Sequence, residues 1–299
     1  MFVNHAGFSI SSQKLQLVEI DFNDGRFLIE NIDEEPFPSK ITKDISSTQF
    51  FSVLQTVYEK IIGRKELKTD IVSFALPSFF FKSAKIPFDP NLITKDLEKH
   101  LKWEFGILFP DINPDDYVID KFALEEDSSE LILFGIERKI LQTVHKFCIR
   151  NNLMLKYVDN SFIASIILLP HLAKSAKKNF ISVFINKNYY AIAFIKNSVP
   201  VFYRFVESGE ENFTSAMFEK IEKFKDNLFT NSDLPEYYIF GDGLQQDFID
   251  ELNRKNGIFF QTVNPFKLLE LNQRLKENPL VQQRFYSFTA ATGMAMRLI

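Results

Sequence analysis

Few residues in this sequence are of the types that do chemistry, and their spacing disperses them. The four histidines, His5, His100, His145 and His171, lie far apart with no second ligand at metal spacing. The single cysteine, Cys148, excludes an intrachain disulfide. Lys146 and Arg150 beside it could lower a thiol pKa, yet helix packing is the commoner role of a lone cysteine. There is no Gly-x-Ser-x-Gly elbow, no Walker A loop and no paired-cysteine metal motif. Two short motifs remain. Gly241-Asp242-Gly243 could bring backbone amides close to a phosphate, but strand-helix junctions use such turns for backbone reasons alone. Phe79-Phe80-Phe81 is the other: on a strand, Phe79 and Phe81 face one way and Phe80 the other. Either both sides are packed, the commoner outcome, or one side forms a groove for an extended partner peptide.

The elements that must position these motifs come in two matching sets. Ala6 to Asp21 reads as a strand, a polar turn at Ser11 to Lys14 and a second strand, since branched and aromatic side chains suit a pleated, half-buried surface. The outline returns at Asn179 to Lys196 around a turn at Asn186 to Asn188. In the first set a third strand, Arg26 to Ile32, follows the Asn23-Asp24-Gly25 turn. Next come a helix capped by Ser46 or Ser47 and ended by Gly63, then a buried strand from Asp70 to Ala75. The set closes with a helix from Arg138 to Asn152, a strand from Lys156 to Asp159 and a helix from Asn160 to Ala176. In the second set, a strand at 199–206 precedes a helix from Glu210 that carries Met217 and Ile221 at helical spacing. Then follow a strand from Tyr237 to Phe240, the Gly-Asp-Gly turn, a helix through Leu244, Phe248 and Leu252, a strand from Phe259 to Val263, a helix from Pro265 and a last one from Arg284 to Leu298.

Each half is thus predicted as β-β-β-α-β-α-β-α, with one difference. Only Gly241 to Gly243 separates the fourth strand from the next helix in the second half, whereas Pro77 to Glu137 intervenes in the first. An inserted β-α-β-β lobe accounts for this: a strand from Phe79 to Ile86, a helix opened by Asp89-Pro90 with Ile93, Leu97, Leu101 and Phe105 on one stripe, and strands Tyr117 to Leu124 and Leu131 to Ile136. The units expected are 1–76 with 138–178, 77–137, and 179–299.

At 299 residues the chain can bury a large core, and 45% apolar with 25% charged residues argues against long disorder. The 34 phenylalanines carry little functional weight by themselves. A net charge of −4 with interspersed signs offers no cationic face and disfavours nucleic acid. The start, MFVNHAGFSI, has no basic leader, and the longest apolar run, Phe162 to Leu169, stops at Pro170, short of the roughly 18 residues of a bilayer span. A soluble cytoplasmic protein is the expectation.

The duplicated order resembles the plan of actin, sugar kinases and Hsp70, an α/β ribonuclease H-like fold, and the place of the insert is similar to the FtsA and PilM branch. Several phrases are similar to the PilM family of type IV pilus assembly proteins: Gly7 to Ile20 ending Leu-Val-Glu-Ile, Ala75-Leu76-Pro77-Ser78, Trp103-Glu104 with Phe109-Pro110, Asn264-Pro265-Phe266, and Ala290-Ala291-Thr292-Gly293-Met294-Ala295-Met296-Arg297. They extend over nearly the whole chain in the family's order.

The resemblance implies ATP and Mg²⁺ between the lobes, with hairpin turns offering amides to the phosphates and carboxylates holding the metal. The family's first hairpin resembles Gly-x-Asp-x-Gly followed by a lysine. This chain has Ser9 at the Asp, Ser11 at the Gly and Gln16 at the Lys. The second hairpin's Asp-x-Gly becomes Phe184 and Asn186, and only Gly241-Asp242-Gly243 survives on the adenosine side. Without those carboxylates Mg²⁺ has no anchor and attacking water no guide, so the expectation is a pseudo-ATPase, not an enzyme, with no cofactor and no metal. The family further implies a partner, the cytoplasmic tail of a PilN-like membrane protein held between the first and inserted lobes, with Phe79, Phe80 and Phe81 as the candidate groove. The leading reading is therefore a non-hydrolysing PilM-like scaffold of a type IV pilus or related secretion platform, cytoplasmic and peripheral at the inner membrane through its partner, with self-association left open. The alternatives are an actin-fold ATP switch using unusual phosphate loops, and an FtsA-like cell-division adaptor, against which stands the ending at Arg297-Leu298-Ile299 without a separate amphipathic helix.

Overall fold

The computed structural model describes residues 4–23, 26–89, 91–92, 94–123, 130–172, 179–187, 189–197, 199–207, 217–219, 221–223, 235–255 and 258–297. The chain begins with β1 (His5–Ile10), β2 (Lys14–Asn23), β3 (Arg26–Pro36), helix α1 (Ser47–Arg64) and β4 (Ile71–Leu76). Next come β5 (Phe81–Pro87), α2 (Thr94–Leu108), β6 (Tyr117–Ala123) and β7 (Glu130–Glu137), then α3 (Arg138–Arg150), β8 (Met154–Asn160), α4 (Ser161–Ile166) and α5 (Leu169–Leu172). The second half holds β9 (Phe180–Ile185), β10 (Tyr189–Lys196), β11 (Val199–Glu207), β12 (Glu236–Phe240), α6 (Gln246–Lys255), β13 (Phe260–Thr262) and β14 (Glu270–Leu271). Three short helices follow, α7 (Gln273–Lys276), α8 (Pro279–Gln283) and α9 (Thr289–Ala295).

Among the described residues the strands form three sheets, ordered β14-β3-β2-β1-β4-β8, β11-β10-β9-β12-β13 and β5-β7-β6. In the first two, an antiparallel meander continues into parallel strands: β1 pairs antiparallel with β2 and parallel with β4, as β9 does with β10 and β12. Period-two alternation sets the faces. Phe8 and Ile10 of β1, with Leu15 and Leu17 of β2, join the core under α1 and α3, while Val18 and Ile20 join a second core with Phe288, Ala291 and Ala295. Helix α1 buries Phe50, Leu54, Val57 and Ile61 along one stripe, and Ser46 caps it by accepting the Gln49 amide at 3.2 Å.

Two helices trade sides. Although α4 follows the strands of the first sheet, its Phe162, Ile163 and Ile166 pack with Phe180, Phe184 and Tyr189 of the second. Helix α9 closes the chain yet lies on β1 and β4. The two helices meet through small residues, with Ala164, Ala75, Ala290 and Met294 in one cluster.

Several expectations are corrected. Gly63 lies inside α1, which runs on to Arg64, because its backbone stays helical and a Cβ placed there would meet nothing within 4 Å. Phe79 is not in a strand: Ser78–Phe80 form a 3-10 turn after Pro77, and β5 starts at Phe81. The segment after Pro265 is a 3-10 turn leading into β14, which joins the first sheet beside β3. The last helix is shortened to Thr289–Ala295, and the helix expected through Pro170 is broken into α4 and α5. The Asp24-Gly25 turn, Pro90, Ile93, and most of the helix expected from Glu210 lie outside the described residues, although Met217 and Ile221 are buried in the second core as helical spacing requires.

Candidate functional site

Two regions bring the singled-out residues together, the cleft between the two large sheets and a groove beside the three-stranded one. In the cleft, the first hairpin turn is self-contained. Ser11 Oγ accepts the amides of Gln13 and Lys14, each at 3.2 Å, and the Ser11 amide donates to the Lys14 carbonyl at 3.0 Å. In the second hairpin the Asn186 amide donates to the Tyr189 carbonyl at 2.9 Å. The Gly241 amide donates to the Tyr286 carbonyl and that of Gly243 to the Ile185 carbonyl, both at 3.0 Å. These six turn amides, of the kind that a phosphate would need, are thus engaged within the protein.

Gly241 and Gly243 are glycines for a packing reason. Gly241 has φ 122°, and a Cβ there would stand 2.2 Å from the Ile185 carbonyl oxygen; at Gly243 it would stand 2.6 Å from the Asn186 carbonyl carbon. The turn is pressed onto the end of β9.

Ser9 and Gln16 are both buried. Gln16 Nε2 donates to Glu34 Oε2 at 3.1 Å and to Ser287 Oγ at 3.0 Å. Lys14, which reading the sequence missed, completes the arrangement. It lies two residues from Gln16 on the same face of β2, its side chain 8% exposed, with Nζ 2.8 Å from Glu34 Oε2 and 2.5 Å from Asp242 Oδ1. Arg284 closes the outer side through Nη1 to Glu34 Oε1 and Nη2 4.0 Å from Asp242. The signal that could have found Lys14 is its place just before Leu15–Leu17, the stretch of β2 that pairs in register with the acidic run Asp33-Glu34-Glu35 of β3.

Phe184 does not reach toward phosphate chemistry. Its ring packs among Phe162, Tyr189 and Phe240, with centroids 6.2, 6.1 and 5.8 Å away. A magnesium triphosphate needs open amides and an uncommitted carboxylate. Here the amides of Ser11, Gln13, Lys14, Asn186, Gly241 and Gly243 are bonded internally, and Glu34 and Asp242 are engaged by Lys14, Gln16 and Arg284. The residues present do not fit that group. A cavity of about 420 Å³ does lie beside them, lined by Gln13, Asn186, Asp242, Gly243 and Arg284.

The three phenylalanines go three ways. Phe80 enters the first core against Phe50, Phe79 meets Tyr189 across the cleft with centroids 6.2 Å apart, and Phe81 lines the groove. That groove, about 470 Å³, has one face of the three-stranded sheet as a wall, with Phe81 and Val118 both opposite Ile136 in register and Phe134 two residues from Ile136 on the same strand. The sheet's other face is covered by Leu97, Leu101 and Phe105 of α2. The opposite wall comes from α3, β8 and α4, including Leu141, Val158 and Ile163. At its floor Arg297 stands 3.1 Å from Asp159; burial pushes the Asp159 carboxyl pKa up while the guanidinium opposes that shift.

Among the described residues no group of three or more His, Cys, Asp or Glu could hold a metal ion, and no helix is long and apolar enough to cross a membrane.

Two lobes built on matching meanders, facing each other across a cleft, define an actin-like ATPase fold. A solved structure of a PilM-PilN type IV pilus biogenesis complex contains a similar chain: TM-score 0.74, 16% identity, covering 100% of this chain and 99% of that one. A Bacteroides thetaiotaomicron protein with an actin-like ATPase fold and unknown function is also similar, with TM-score 0.57, 11% identity, and coverage of 89% and 92%. No protein-family model matches the sequence, and no curated protein matches it.

Proposed function

We propose that this protein is a non-hydrolysing, PilM-like scaffold of a type IV pilus or related secretion platform, and that its groove takes the cytoplasmic tail of a PilN-like membrane partner. The observation that carries the reading is the groove of about 470 Å³ between the three-stranded sheet and the α3–β8–α4 wall. A sheet face that its own helix leaves free, with Val118 exposed and Phe81 half-buried, is suited to an extended chain with apolar side chains, the Asp159–Arg297 pair offering polar anchors. The similar chain solved in a PilM-PilN complex supports the choice of partner. Association with the inner membrane would then come through that partner, and the three-unit division 1–76 with 138–178, 77–137 and 179–299 would give the groove its two walls.

The test is fluorescence anisotropy with a labelled peptide of the PilN-like protein's cytoplasmic tail. Saturable binding is expected, abolished by Val118→Arg inside the groove and unaffected by Trp103→Arg on the exposed outer side of α2. A Val118→Arg protein that folds and binds undiminished overturns the reading.

A second reading, an actin-fold nucleotide switch, draws on the cavity of about 420 Å³ beside Gly243 and Arg284. Calorimetric titration with Mg-ATP separates the two: a micromolar isotherm favours the switch, and none favours the scaffold.

A further inference from the structure

The misfit between the cleft and a triphosphate has a positive side. We infer that Lys14, Asp242, Glu34 and Arg284 form a built-in clamp that ties the two halves together across the cleft, doing with side chains what a ligand bridging both lobes would otherwise do. This goes beyond the groove reading and stands whether or not the groove binds a tail.

The four residues come from different parts of the chain. Lys14 opens β2 and Glu34 lies opposite Gln16 on β3, both in the first sheet. Asp242 sits in the turn after β12 of the second sheet, and Arg284 in the segment that returns to the first. Lys14 Nζ touches one carboxylate from each side, at 2.8 Å to Glu34 and 2.5 Å to Asp242. Two cations meet two anions, so the cluster is neutral and calls for no ion from outside.

Burial decides whether such a cluster matters. Exposed pairs contribute little, but here the side chains of Lys14, Glu34 and Asp242 are 8%, 13% and 13% exposed, and removing one member would strand a desolvated charge. The clamp is also braced. Gln16 adds a further donor to Glu34 and is itself bonded to Ser287, while the Gly241 and Gly243 amides fix the Asp242 turn to Tyr286 and Ile185. The Asp242 turn is thereby held at its backbone as well as through its side chain.

Hydrogen exchange of the full chain, read at Ser11–Lys14 and Gly241–Gly243, tests the clamp. Lys14→Met and Asp242→Asn are each expected to speed exchange by about tenfold or more in both segments, and the double variant no further than either single one. Arg284→Gln, at the more exposed rim, removes a partner without stranding a buried cation and is expected to loosen the same two segments less, which keeps the test informative if Lys14→Met fails to fold. Mg-ATP at millimolar concentration is expected to leave the parent's exchange unchanged. Effects confined to the mutated segment, additive effects in the double variant, or protection of both segments by Mg-ATP would each overturn the inference.

Discussion

The backbone of Gly7 in β1 lies directly against Ala291 of α9: a Cβ at Gly7 would stand 2.1 Å from the Ala291 carbonyl oxygen. The opposing atoms are backbone and cannot swing aside. The same helix presents Gly293 to α4, where a Cβ would stand 1.9 Å from the Ala164 carbonyl oxygen. Helix α9 is therefore wedged between the first sheet and α4, and its run of small residues is what admits it.

Gly7→Ala and Gly293→Ala are expected to lower stability by about 3 kcal/mol or more, because overpacking against backbone forces the helix to move. Gly63→Ala is the control. It sits in α1 with nothing within 4 Å of the added methyl, and should raise stability by about 0.5–1 kcal/mol. Urea unfolding of the three variants checks this.

His5 sets a pH dependence. Its Nδ1–H donates to the Ala295 carbonyl at 2.9 Å, and Nε2, 2.9 Å from Ser73 Oγ, accepts that hydroxyl's proton while Ser73 Oγ accepts the Tyr157 amide. The neutral ring is fully bonded. Burial, with a smaller push from Lys156 and against the pull of the Ala295 carbonyl, lowers its pKa from 6.5 to about 4. The unfolded chain thus binds the extra proton first. The contribution of His5 is complete above pH 6.5 and is lost as pH falls toward 4, up to about 3 kcal/mol. The carboxyl of Glu19, whose pKa is raised by burial, acts in the opposite sense, so the His5 effect is read from the difference between parent and His5→Gln in urea unfolding at neutral and acidic pH. Equal pH slopes for the two proteins would contradict it.

Cys148 should be chemically silent in the folded protein. It is buried in the first core, and burial pushes its thiol pKa up to about 12 despite Lys146 and Arg150 nearby in sequence. Reaction with a thiol reagent at mildly alkaline pH is expected to be about 10³-fold slower than after denaturation, in line with the lost thiolate fraction.

Restoring a carboxylate at Phe184 should not restore a nucleotide site. Phe184→Asp removes a ring packed among Phe162, Tyr189 and Phe240 and places a charge in an apolar core. The expected result is a loss of about 4 kcal/mol or more, seen as a lowered thermal midpoint, with no gain in phosphate release from ATP. A stable variant that hydrolyses ATP would show that the ring blocks a working cleft.

The amino-acid pattern made the architecture legible wherever the physics is local. Apolar runs around a polar turn in Ala6–Asp21 and Asn179–Lys196 specified hairpins, the i, i+4 stripe Leu97-Leu101-Phe105 specified α2, and the Ser46-Ser47 pair specified the start of α1, where Ser46 proves to be the cap. Positions where local rules are nearly balanced were misjudged. Gly63 suits a helix end as well as a helix interior, and Pro77 turned Phe79 and Phe80 out of the strand that Phe81 begins. The site was less legible. Ser9, Ser11 and Gln16 could be recognised as departures from a phosphate-binding pattern, but Lys14 reads in isolation as a solvated turn lysine.

Hydrophobic periodicity and turn chemistry, acting over a few residues, determined that this chain builds two meander-led halves and a small extra sheet. Only the assembled structure decided that Lys14 lies 2.5 Å from Asp242, that α4 and α9 change sides, and that Phe81 faces a groove while Phe80 is buried. Each of these depends on contacts between segments far apart in the chain, whose meeting is fixed by how the sheets and helices pack and by which charges lose water when they do.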